Sequence, residues 1–223
     1  ALLTQENQAV HIKYQNLPDI GTLPGVAEVV SRYLQVAEGD VVLTNDPYSG
    51  GSTLTALNLL MGVNLEGKTS AKSPAEFTFC VRVNMKPHLH MTDTIEDEGV
   101  RIPPTPIRQG GKFNTEFLKI ISEHPQCSKN FLPTIESVVA AMDRKVQQIK
   151  LDTRCGHLDW SKPRLKELFA ETCKHFTHQL EHLATGEVER EMNLESGEKL
   201  KLLMTLEEGK AKFDFSGSGP SAH

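Results

Sequence analysis

Three stretches hold residue types that could do chemistry. The first is the turn Asn45-Asp46-Pro47-Tyr48-Ser49-Gly50-Gly51, set between the apolar segments Val41 to Leu43 and Leu57 to Leu60. A polar loop tip between two strands is where binding and catalytic groups gather, which makes Asp46 a candidate catalytic residue. The same residues also build an Asx-type turn, with Gly50 and Gly51 supplying positive φ. The second stretch is the run His88-Leu89-His90 with Asp93 close behind. On a strand His88 and His90 point to one face, and two imidazoles with a carboxylate suit zinc or manganese. Pro87 and the acids that follow suggest a solvated surface loop instead. The third is Asp19 in Leu17-Pro18-Asp19-Ile20-Gly21-Thr22-Leu23-Pro24, a candidate base or replacement ligand, or a solvated loop acid.

The remaining reactive side chains are dispersed. His175, His178 and His182 share one helical face, which permits chelation, and they are expected to face solvent. Cys80, Cys127, Cys155 and Cys173 form no CxxC pair and are expected as reduced, idle thiols in the cytoplasm. There is no GxxxxGK[ST] loop, so ATP is expected only through a partner.

The elements that must position these groups follow from periodicity. Ala1 to Val10 reads as a strand, a turn and the start of a return strand. Leu17 to Pro24 reads as a loop, with Pro24 opening a helix whose apolar face is Val26, Val29, Val30, Tyr33 and Leu34. Val41 to Thr44 and Leu57 to Val63 are strands flanking the central turn, and Phe77 to Val83 is a buried strand. Asn114 caps a short helix through Phe117 and Ile121. Pro133 opens a longer one faced by Ile135, Val138, Val139, Met142, Val146 and Ile149. Ser161 and Pro163 start another, with Leu165, Leu168, Phe169, Phe176, Leu180 and Leu183 as a core stripe. Three alternating segments, Glu187 to Leu194, Lys199 to Leu206 and Lys210 to Phe215, make an antiparallel meander.

The 223 residues fit one large domain or two small ones and are ample for a core. The expected fold is α+β over residues 1–223: a strand-rich part (1–111), central helices (112–184) and a C-terminal meander (185–223). The meander has no closing element after it, so the chain reads as a fragment. A net charge of −5 with interspersed signs gives no basic patch for nucleic acid. No apolar run reaches the roughly 18 residues that a membrane-spanning helix needs.

Several motifs in one order resemble the hydantoinase B family, which includes the B half of ATP-dependent 5-oxoprolinase and the α subunit of acetone carboxylase. They are Leu43 to Gly51 (LTNDPYSGG), Glu96 to Pro104 (EDEGVRIPP) and Phe213 to Pro220 (FDFSGSGP), with LPDIGTLP near the start and Cys127-Ser128 ahead of the long helix. The resemblance implies a B-type component that completes ring opening or carboxylation after an ATP-using A-type subunit has phosphorylated a cyclic amide or ketone. Self-association is also open. It further implies a metal site built from GGTHLPD and RAHHAD. Here Thr53 and Ala56 stand for the first motif's His and Asp. Asn84, Met85 and Pro87 stand for the second's paired His and its Asp, and Asp19 stands for a His in the first segment. A methyl and a thioether cannot hold a hard divalent cation. The expectation is therefore the family frame without its metal ligands, with activity on 5-oxoproline or a hydantoin if ligands come from His88, His90 and Asp93 or from another chain. The alternative is a non-catalytic binding or regulatory remnant.

Overall fold

The computed structural model describes residues 1–14, 17, 19–65, 73–85, 95–183, 185–194 and 197–220; the side chains of residues 19, 96 and 97 are outside that description. The chain is of α+β type and forms two compact units, Ala1–Trp160 and Ser161–His223.

The first unit is built on a seven-stranded antiparallel sheet. Its strands are β1 (Leu2–Thr4), β2 (Ala9–His11), β3 (Val41–Thr44), β4 (Ala56–Val63), β5 (Phe77–Asn84), β6 (Thr105–Gln109) and β7 (Lys112–Phe113), in the order β2-β1-β5-β4-β3-β6-β7. β4 sits at the centre and all eight of its residues are buried. Its sequence, ALNLLMGV, lacks a polar-apolar alternation because helices cover both faces. On one face α1 (Asp19–Tyr33) inserts Leu23, Val26, Ala27 and Val30 against Leu3, Val42, Leu60 and Cys80. Elsewhere in the unit lie α2 (Ile95–Glu98), α3 (Thr115–Ser122) and α4 (Phe131–Arg154). α4 buries Phe131, Ile135, Val139, Met142 and Val146, a helical stripe in which each side chain is worth ~1.5–3 kcal/mol of apolar burial. Arg108 on β6 clamps this helix through two bonds to Asp143, at 2.7 and 2.8 Å, and donates to Gly39 O at 2.8 Å.

Two sequence expectations need correction here. α1 begins at Asp19 rather than Pro24, which lies inside the helix. Without an N–H, Pro24 forfeits only the one bond to Ile20 O, and the apolar contacts of α1 with the sheet outweigh that loss. Tyr33, expected on the buried face, is 78% exposed, and Leu23 and Ala27 take part in the stripe instead. The helix over Asn114 forms as expected, with Asn114 Oδ1 accepting from Phe117 N at 3.1 Å.

The second unit pairs α5 (Lys162–Glu181) with the meander β8 (Gly186–Asn193), β9 (Lys199–Glu207) and β10 (Lys210–Asp214). The register places Val188 and Phe213 beside Met204, and Met192 beside Leu200, on the apolar face. Ion pairs line the other face: Glu191 with Lys199 at 2.6 Å and Glu189 with Lys201 at 2.8 Å. The bond from Lys199 holds the Glu191 carboxyl below its usual range, and Glu189 raises Lys201. The apolar stripe of α5 is not the core expected of it. Leu165 is buried, but Phe176 is 63% exposed. Periodicity reports which side of a helix is apolar, not what covers it.

Candidate functional site

Three separate stretches meet at one end of the α1 face. The first is the start of α1, the second the loop 50–55 between β3 and β4, and the third the C-terminal end of β5. Main chain against main chain sets their positions. Gly50, at φ 83°, approaches Gly25 so closely that a Cβ added to it would lie 2.9 Å from Gly25 C and O. Only glycine satisfies both the positive φ and that approach. The end of β5 is tied to the loop by Met85 N donating to Thr55 O at 2.7 Å.

Arg82 joins all three. Its Nη1 donates to Thr22 Oγ1 of α1 at 2.8 Å, and its Nη2 donates to Ser52 Oγ in the loop. Beside it across the sheet stands Asn58, 1% exposed, whose Nδ2 donates to Thr44 O and Ala56 O at 3.3 Å each. Thr53 and Thr55 share a hydroxyl contact of 3.1 Å at the rim. The accessible chemistry is thus hydroxyl and guanidinium, with the Asn58 amide buried behind it.

The Asn45-Asp46 turn is held from within. Asp46 is buried, with Oδ1 accepting from Tyr48 N and Oδ2 from Ser49 Oγ, both at 3.0 Å, so both oxygens cap the single 3-10 turn Pro47–Ser49. Asn45 knits the loop to the segment after α2. Its Nδ2 donates to Leu54 O (2.7 Å) and Val100 O (2.8 Å), and its Oδ1 accepts from Ile102 N (2.6 Å).

Behind this turn lies a small cavity of about 50 Å³ whose lining includes Asn45, Glu98, Gly99, Cys127 and Ser128. Burial pushes the Cys127 thiol up from its ordinary value. Cys127 and Glu98 are far apart in sequence, and no spacing signal links them.

Of the residues singled out above, Asp19 opens α1 at the convergence, with its side chain outside the described residues. His88, His90 and Asp93 lie outside the described residues altogether. Among the described residues no group of three or more His, Cys, Asp or Glu is placed to hold a metal. Asp214 ends β10 in the second unit. Its Oδ1 accepts from Ser216 N at 2.9 Å, and hydrogen bonds from Ser216 lower its carboxyl pKa.

The hydantoinase B/oxoprolinase family model aligns with residues 1–223. The chain belongs to the hydantoinase B/oxoprolinase family. It is 23% identical over 220 residues to an uncharacterised Methanocaldococcus jannaschii protein, covering 89% of this chain and 36% of that protein. It is 23% identical over 219 residues to 5-oxoprolinase 1 of Arabidopsis thaliana, covering 83% of this chain and 17% of that protein. This hydantoinase B chain therefore spans about a third or less of the length of these relatives. Its fold is shared with the ATP-dependent caprolactamase of Pseudomonas jessenii (TM-score 0.68, 18% identity, 86% of this chain and 35% of that one). It is also shared with nucleotide-free acetone carboxylase (TM-score 0.61, 13% identity, 90% and 30%).

The residues present do not fit the metal site that the resemblance implies: Thr53 in the loop, Ala56 at the start of β4 and Asn84 and Met85 at the end of β5 offer no imidazole or carboxylate.

Proposed function

We propose that this chain acts as the B-type component of an ATP-dependent cyclic-amide hydrolase, in the cytoplasm, beside an ATP-using A-type subunit. In this reading it binds and positions, and it carries no metal centre of its own at the family position. The observation that supports the reading is Arg82, bonded to Thr22 and Ser52 where the three motif segments meet, among hydroxyl and amide neighbours instead of metal ligands. Such groups orient a substrate or a neighbouring chain through hydrogen bonds, but they do not polarise a carbonyl as a divalent ion does. Asp46 serves the frame as the cap of its turn, and Asp19 is the first residue of α1.

The test is reconstitution with an A-type subunit. Co-purification is measured first, then ATP-dependent hydrolysis of 5-oxoproline and of hydantoin, with wild type beside Arg82→Ala. The expected result is a complex that Arg82→Ala weakens, with no hydrolysis by this chain alone. Metal retained after dialysis against a chelator is measured alongside, in wild type and in His88→Ala/His90→Ala. About one zinc or manganese per chain that the double variant loses would overturn the metal-free reading and place a rebuilt centre at His88, His90 and Asp93.

A further inference from the structure

The last turn of α5 carries two histidines that the proposed function does not use. His178 lies within the helix and His182 caps its C-terminus, one turn later. Their Nε2 atoms are 3.0 Å apart, with ring centroids 4.3 Å apart and ring planes at 74°. Glu181 Oε2 lies 3.6 Å from the other nitrogen of His178, Nδ1. Both rings are exposed.

We infer that His178 and His182 form a chelating site for one divalent late transition ion of the zinc, nickel or copper class. The bite of the pair fits. Two metal–nitrogen bonds of about 2.05 Å spanning a nitrogen separation of 3.0 Å enclose an angle of about 94°. That is close to the right angle between neighbouring ligands in square-planar or octahedral coordination and within reach of a distorted tetrahedron. The carboxylate beside His178 Nδ1 favours the proton on that nitrogen and leaves Nε2 with its lone pair free for a metal. His182 must carry its proton on Nδ1 when the ion enters, which costs a tautomer exchange and no net proton. The position adds a second attraction. Unsatisfied carbonyls give the C-terminus of a helix partial negative charge, which favours a cation there. Water completes the coordination shell, since no third protein ligand of a suitable type is placed to join among the described residues.

The site is tested on the full chain, stripped with a chelator and then titrated calorimetrically with Ni²⁺ and, separately, Zn²⁺. The expected result is one equivalent bound by wild type, lost in His178→Ala/His182→Ala and kept in both His175→Ala and His88→Ala/His90→Ala. Glu181→Gln is expected to weaken binding about tenfold, the effect of losing a carboxylate that orients a ligating histidine. All the residues changed in α5 are exposed, and far-ultraviolet circular dichroism confirms that each variant keeps its helix. No binding by wild type, or binding that survives in His178→Ala/His182→Ala, would overturn the inference. Its failure would leave the proposed function untouched, because the two rest on different residues in different units.

Discussion

Asn45 offers the sharpest test of how the central turn is held. Its side chain is 2% exposed and makes three hydrogen bonds to main chain, to Leu54 O, Val100 O and Ile102 N. Asn45→Ala strands all three groups in the interior, where each orphan costs ~1–3 kcal/mol. Three such groups sum to ~3–9 kcal/mol, and the lower half of that range, ~4 kcal/mol, is already a quarter or more of the ~5–15 kcal/mol that a domain of this kind possesses. Trp160 provides the assay. It is the chain's one tryptophan, stacked edge-on against Phe77 at 5.7 Å and bonded to Thr153 Oγ1 at 2.7 Å, so its fluorescence reports the first unit. With a urea slope of about 2 kcal/mol/M, the midpoint should fall by ~2 M. Asn45→Asp is the isosteric companion. It sets a carboxylate oxygen against the two carbonyls that Nδ2 now serves, so the folded-state pKa is raised above that of the unfolded chain. A raised carboxyl pKa leaves stability intact below the unfolded value, near 4, and removes it as pH climbs through the folded value. Asn45→Asp should therefore be closest to wild type in acid and furthest from it at neutral pH. A midpoint for Asn45→Ala within about 0.5 M of wild type, or a pH-independent deficit for Asn45→Asp, would refute the account.

Two other outcomes follow from close packing and burial. Gly62→Ala should destabilise the first unit by on the order of 3 kcal/mol in the same urea assay, because the new Cβ would fall 2.8 Å from Ala37 C, inside contact distance of that carbonyl, and 3.0 Å from Ala75 Cβ. In thiol titration with a disulfide reagent at pH 8, the exposed Cys155 and Cys173 should react at once and the half-buried Cys127 slowly. Cys80, buried and with its thiol pushed up to about 12, should react only after denaturant is added.

β3, β4 and β5 were legible as short apolar runs closed by turn residues and the meander as alternating segments, whereas β6 and β7, a proline-bearing strand and a two-residue partner, carry no such pattern. The stripe of α4 was legible because Ile135, Val139, Met142 and Val146 repeat with the helical period and do face the core. α1 was misplaced at its start because Pro24 mimics a helix opener, and only contacts distant in sequence show the helix continuing back to Asp19. The family was legible from motif order. The partnership of Arg82 with Thr22 and Ser52 was not, since residues 30 and 60 positions away leave no local pattern. Nor was the close geometry of His178 and His182, although their spacing marked them as neighbours.

The contact between Gly50 and the main chain at Gly25 separates the frame of the site from its chemistry. Where two backbones touch, no side chain remains to repack, so the spacing of loop and helix does not depend on what the exposed Thr53 happens to be. Side chains at the tip can then change without disturbing the frame that presents them. The same independence makes the exposed part of this loop a ready recipient for grafting: Thr53→His would be displayed on a scaffold whose geometry is already set, whereas Ala56, buried at the start of β4, would not accept a carboxylate.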